Sequence, residues 1–447
     1  MTIRATIRLQ FHSAFTLDDA AGIVPYLSAL GISHIYASPL FVARKGSTHG
    51  YDVVDPTAIN PELGGSDALA RLSAALKSHG MGLILDIVPN HMAASSENPW
   101  WMNVLESGKA SRYAYFFDIN WRPADPLLRN KILLPLLGGD LAACLDRDEI
   151  KLDFDPERQG FVFRYFEQRI PLSLPSYTDI LSHLGPGFQE LAGAFNQIPA
   201  GTDRKAREST EIDKLRDRLA GQIRKDKGDF AEGLAAINAP GREGPAFLQR
   251  LLNQQHYILA PWQEAASRLN WRRFFDINEL VALQMDRAEV FEATHRLVLA
   301  LYRDGVIDGV RLDHVDGLAD PRSYCRKLRR ELKRAGRDRP ASEREPYIIV
   351  EKILEQTEKM PGDWQIDGTT GYDFMSEVAA VLHDGKSADA LSVFWSGATT
   401  RQSDFPTLVR QARKEILELL FSQQLDNLVH LFVADDRGGE KAVSTAS

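Results

Sequence analysis

Cysteine is scarce: Cys144 and Cys325 are the only two in 447 residues, and no CxxC spacing occurs. That excludes a disulfide framework and a cysteine zinc site, and it makes a cytoplasmic location the expectation. Long apolar runs are missing too; none approaches the ~18 residues a membrane span needs. The opening MTIRATIRLQF has no basic stretch followed by a long apolar one, so neither leader nor membrane anchor is expected. Basic excess is also lacking. A formal net charge of −8 and a pI near 5.8 exclude nucleic acid and an anionic membrane as main partners and suit a neutral substrate. No internal repeat and no metal or cofactor signature stands out, so neither cofactor nor metal is expected.

What is present is ordinary for a globular chain: 44% hydrophobic and 26% charged residues. The first ninety residues alternate strand and helix. A strand is predicted at 6–11 and a helix from the Thr16 cap, with Pro25 inside its pattern as a break or kink. A strand follows at 33–38, then a polar, Gly- and Pro-punctuated loop at 45–65, a helix at 66–79 and a strand at 83–88. This is the signature of a parallel sheet with helical crossovers.

The alternation then stops for about two hundred residues. Strand pieces are expected there at 133–135 and 161–172, a solvated helical hairpin at 204–230 and a core role for Trp100, Trp101 and Trp271. It resumes with a helix at 281–303, a strand through GVRL (309–312), a strand at 347–351 and a sixth within 364–374. The expected fold is α/β, an incomplete (β/α)8 TIM-type barrel of about six strands with a large inserted domain after the third. The expected divisions are 1–92 for the first part of the barrel, 93–280 for the insert, 281–434 for the second part and 435–447 for a frayed tail.

Acids recur at one place in this pattern. Asp86, Asp313 and Glu351 end the third, fourth and fifth strands, and Asp52 sits on the loop after the second. In a parallel barrel those ends share one face, so the acids converge. Paired carboxylates are what retaining glycoside chemistry requires, one ionised as nucleophile and one protonated as acid. Taken alone, Arg311 two residues before Asp313 fits a buried structural ion pair as well as a site.

The segments DIVPNH (86–91), GVRLDHVDG (309–317) and the strand ending in Glu351 resemble, in order, conserved regions of the α-amylase superfamily of glycoside hydrolases. More narrowly, THGYDVVDP, NPWW, FFDINW, NWRRFFDINEL, RLDHVDGL and DGTTGYDF resemble the maltooligosyltrehalose synthase family. That resemblance implies an intramolecular transglycosylase that turns the reducing-end α-1,4 linkage of a maltooligosaccharide, or of another α-1,4-glucan, into α,α-1,1. It implies Asp313 as nucleophile, Glu351 as general acid and base, and Arg311 holding Asp313 ionised. Asp86 would brace Arg311. Tyr51 would stack on the sugar, Asp52 and His91 would bind its hydroxyls beside Asn90, and His314 and Asp316 would line the acceptor side, Asp316 alternatively capping a helix. A functional coupling to a trehalose-releasing hydrolase is implied as well.

One departure matters. The family's third acid, an Asp after the seventh strand, has no counterpart; neither His383-Asp384 nor Asp373 fits the pattern. Family members are longer, so the chain resembles their N-terminal portion and is expected to be weakly active or inactive alone. Two rival readings stay open: a 4-α-glucanotransferase or amylase-type hydrolase, and a non-catalytic α-glucan-binding protein.

Overall fold

The computed structural model describes residues 3–198, 206–241, 243–355, 357–399, 404–429 and 432. Six parallel strands lie side by side in chain order: Thr6–Leu9, His34–Ala37, Gly82–Ile87, Gly309–Leu312, Tyr347–Val350 and Gly368–Thr369. They make a curled, incomplete (β/α) barrel. All residues of the third and fourth strands are buried, which is why GLILDI and GVRL carry almost no polar side chains outside the site. Gly309 is needed where it stands. A Cβ there would lie 2.1 Å from the Tyr347 carbonyl oxygen, so only glycine lets strands four and five close.

Register delivers the charged residues. Arg311 pairs with Asp86, and Leu312 with Val350. The ladder continues one step further, Asp313 N–H donating to the Ile87 carbonyl at 2.9 Å and Glu351 N–H to that of Leu312 at 2.8 Å. Asp313 and Glu351 therefore emerge at the same level, on adjacent strand ends.

The flanking helices follow the predicted signals with some corrections. Helix Leu17–Ala29 opens with a capping box between Thr16 and Asp19. It runs through Pro25 unbroken, because one lost hydrogen bond is outweighed by the burial of Val24 and Leu27. The polar segment at 45–65 is not all loop: Phe41–Ala43 and Val53–Ile59 form an antiparallel ribbon, with Val53 and Ile59 buried. That ribbon rests on helix Ala288–Arg303. The helix starts later than residue 281, since Ile277–Ala282 is a strand paired with His91–Ala93.

Between the third and fourth strands the chain builds its own sheets: Ile132–Leu137 beside Tyr257–Pro261, and the antiparallel Ile150–Asp155, Gly160–Tyr165 and Gln168–Pro171. Trp100, Trp101 and Trp271 are buried there, Trp101 and Trp271 meeting edge-on at 5.6 Å. The charged stretch forms helices Ala206–Lys225 and Lys227–Ile237 and is not merely a solvated hairpin. Leu219 is buried, and Arg216 reaches Glu106 in a largely buried pair at 2.5 Å; residues 204–205 lie outside the described residues. Beyond the two-residue sixth strand come helices Tyr372–Leu382, Ala388–Thr399 and Phe405–Leu420, none with a buried residue. The predicted tail at 435–447 also lies outside the described residues.

Candidate active site

Arg311 is the hub. Its Nη1 donates to Asp86 Oδ1 at 2.9 Å and to Asp313 Oδ1 at 2.6 Å, and its Nη2 stands 3.2 Å from Glu351 Oε1. Three carboxylates from three neighbouring strands thus meet one guanidinium that is almost wholly buried. Asp86 is fully enclosed and accepts two further bonds, from Tyr36 at 3.0 Å and Tyr51 at 2.6 Å. Glu351 is more open. The His314 N–H donates to its Oε2 at 2.9 Å and the Tyr372 hydroxyl to its Oε1 at 3.2 Å. His314 reaches that position with φ +46°, a left-handed conformation uncommon outside glycine.

Electrostatics of the free site differ from the sequence expectation that Arg311 keeps Asp313 ionised. Burial, joined by the neighbouring Asp86 and Glu351 charges, outweighs Arg311 and pushes Asp313 up to about 7. Burial raises Glu351 as well, yet Arg311, the His314 N–H and Tyr372 outweigh it and hold Glu351 below the ordinary glutamate range. Burial also raises Asp86 despite Arg311. His91 is pushed down to about 3 by burial and then by His314, so its ring is neutral. The His91 Nε2 is buried and has no hydrogen-bond partner.

These groups floor a cleft of about 810 Å³. Of the predicted residues, Arg311, Asp313, Glu351, Tyr51, Asp52 and His91 line it. Asp52 accepts from the Ser47 hydroxyl at 2.5 Å, and the Tyr51 hydroxyl is tied to Asp86 and Arg8. The others stand outside the lining. Asp86 lies behind Arg311, and Asn90 is buried where its Oδ1 accepts from Arg272 at 2.9 Å. His314 turns its ring onto Phe274 and Phe275, and Asp316 pairs with Lys352 at 3.3 Å. The helix Pro321–Ala335 is capped by Asp320, not Asp316. Asp373 accepts from the Thr369 hydroxyl and Asp384 from the Lys386 N–H, and neither lines the cleft.

Several lining residues had no role in the sequence reading. Arg8 and Tyr36 come from the first two strands, Arg44 and His49 from the following loop, and Tyr372 from after the sixth strand. Arg8 had a signal, as the one charge inside strand TIRL. Gln168, Phe274, Ile277, Glu279 and Leu280 come from the insert; the last four lie in the NWRRFFDINEL motif, which received no role in the site. Among the described residues no cluster of His, Cys, Asp and Glu could hold a metal ion.

A family model described as "Alpha amylase, catalytic domain" matches residues 16–139. The chain belongs to the α-amylase superfamily. Within it, a protein of Mycobacterium tuberculosis described as a maltooligosyl trehalose synthase is 35% identical over 412 residues, 91% of this chain and 42% of that protein. The solved maltooligosyltrehalose synthase of Arthrobacter ramosus superposes with a TM-score of 0.71 at 30% identity, covering 95% of this chain and 44% of its own. The intracellular maltogenic amylase of Bacillus subtilis is 38% identical over 108 residues, 24% of this chain and 18% of its own. This chain therefore groups with the maltooligosyl trehalose synthases along most of its length, spanning less than half the length of those it matches.

Proposed function

We propose that this chain carries the donor half of a retaining α-glucan transglycosylase, one that converts the reducing-end α-1,4 linkage of a maltooligosaccharide to α,α-1,1. The observation that carries the reading is the shared guanidinium of Arg311, with Asp313 and Glu351 on its two nitrogens at the floor of the cleft. Carboxyl groups held by one guanidinium suit the ~5–5.5 Å separation of double displacement better than the ~6.5–9.5 Å that inversion uses for water.

In the reaction Asp313 attacks the anomeric carbon, the glycosidic C–O bond breaks and Glu351 gives its proton to the leaving sugar. The freed glucose then turns over. Its anomeric hydroxyl attacks the anomeric carbon held by Asp313, its proton returns to Glu351 and the C1–O bond to Asp313 breaks. Asp313 must be ionised and Glu351 protonated when the bond breaks. Substrate expels water from around the half-buried Glu351, and that desolvation raises its pKa toward the general acid's role. His91, neutral and lining the cleft, is placed to meet a sugar hydroxyl.

Incubation with maltopentaose tests the reading. Reducing ends should disappear with no shortening of the chain; glucose release or redistributed chain lengths would instead favour the hydrolase or 4-α-glucanotransferase. The three helices that bury nothing favour a second reading, α-glucan binding with impaired turnover. It predicts affinity that persists in Glu351→Gln and a rate far below that of longer relatives. A cytoplasmic location, resting on two buried free cysteines, and coupling to a trehalose-releasing hydrolase belong to the same proposal.

A further inference from the structure

Phe274 occupies an unusual place. It comes from the far end of the insert, yet its ring meets His91 at 4.4 Å and His314 at 4.7 Å, the residues that follow the third and fourth barrel strands. It lines the cleft with Asp313 and is not closed in on all sides. Its neighbour Phe275 turns the chain at φ +49° and touches His314 at 4.9 Å. Two side-chain-bearing residues in left-handed backbone thus meet beside the nucleophile. Strain of that kind persists only where the surroundings hold it.

Arg272 supplies the hold. Its Nη1 donates to Asn90 Oδ1 at 2.9 Å and to the Gly317 carbonyl at 2.7 Å, its Nη2 to the Leu283 carbonyl at 3.1 Å and its Nε to Asp118 at 2.8 Å. One guanidinium so binds the loop after strand three, the turn after the nucleophile and the insert. Gly317 leaves this junction no slack, since a Cβ would stand 2.6 Å from Asn90 Oδ1 and 2.4 Å from the His314 ring. Strand pairing of Ala282 with His91 fixes the same hairpin a second way.

We propose that Phe274, positioned by Arg272, is a specificity-determining residue that keeps water from the Asp313 glycosyl ester, so that a glucose hydroxyl and not water takes the sugar. The inference rests on the transglycosylase reading above. In either outcome the C1–O bond to Asp313 breaks, a new C1–O bond forms and Glu351 takes one proton, from glucose or from water. Only the acceptor differs, so a residue that controls water access changes the product ratio more than the rate.

The test uses α-maltotriosyl fluoride as donor and D-glucose as acceptor. Fluoride release reports formation of the ester, and the ratio of reducing maltotriose to non-reducing tetrasaccharide reports its fate. Phe274→Ala should raise that ratio at least 5-fold, Phe274→Leu less, and Arg272→Met in the same direction, with fluoride release changing less than the ratio in each. A ratio unchanged in folded Phe274→Leu and Phe274→Ala overturns the proposal alone. Wild-type protein that releases no fluoride, or gives only reducing product, overturns the underlying reading and the proposal with it.

Discussion

The stretch up to Glu351 and the three helices at 372–420 are built from similar proportions of apolar residues and end up in opposite states. In the first, the third and fourth strands are buried along their whole length. In the second, Val381 is 85% exposed, Phe394 74% and Phe405 78%. Each such side chain left in water forgoes roughly 1.5–3 kcal/mol of burial. The contrast separates two sides of the cleft. Arg311, Asp313 and Asp86 are set by a closed lattice of strands, whereas Tyr372, which holds Glu351, begins a helix with no buried residue.

The sharpest test of that contrast pairs two arginines. Arg311→Met leaves three carboxylates around a vacated buried centre and should cost about 3–5 kcal/mol in urea unfolding. Arg413→Ala, whose exposed partner Glu355 lies 3.8 Å away, should change stability by less than about 0.5 kcal/mol. Equal effects would mean the helices are as integral as the strands. Leu85→Ala in the buried third strand should cost about 2–5 kcal/mol, against next to nothing for Leu391→Ala.

Asp313→Asn should stabilise the fold while abolishing turnover. With the folded pKa of Asp313 raised to about 7, its stabilising contribution is fully present below its unfolded pKa and lost as pH rises through about 7. The substitution removes that loss, so Tm at pH 8 should rise by on the order of 2–4 °C and the decline between pH 4 and 7 should flatten. A Tm that falls at pH 8 would show that the carboxylate is net favourable there. Least in energy, Val381→Glu with Phe394→Glu should leave the urea midpoint unchanged yet reduce binding of an apolar dye and self-association on a sizing column. An unfolding shift would show that the face is packed after all.

Sequence reading reached the acids because strands punctuate them: Asp86, Asp313 and Glu351 each close an apolar run, and parallel topology brings strand ends together. It missed the ribbon at 41–59, since Val53, Val54 and Ile59 are scattered among Asp and Pro and gain a buried face only in the fold, chiefly against helix Ala288–Arg303. Gln168 escaped because nothing local distinguishes a cleft wall from any other hairpin, and Phe274, although inside the NWRRFFDINEL motif, could be placed against the cleft only by the fold. Asn90 and His314 were assigned to sugar contact from their position in motifs. Their side chains turn to Arg272, Phe274 and Phe275 instead.

By itself, the sequence determined the barrel, the order of its strands and the acids they deliver, because burial pattern and strand-end position are local properties of the chain. That burial lifts Asp313 against the pull of Arg311, and that one arginine serves three carboxylates, was decided by the tertiary structure alone. Burial and the distances between side chains far apart in sequence set both, and neither is written in any single segment.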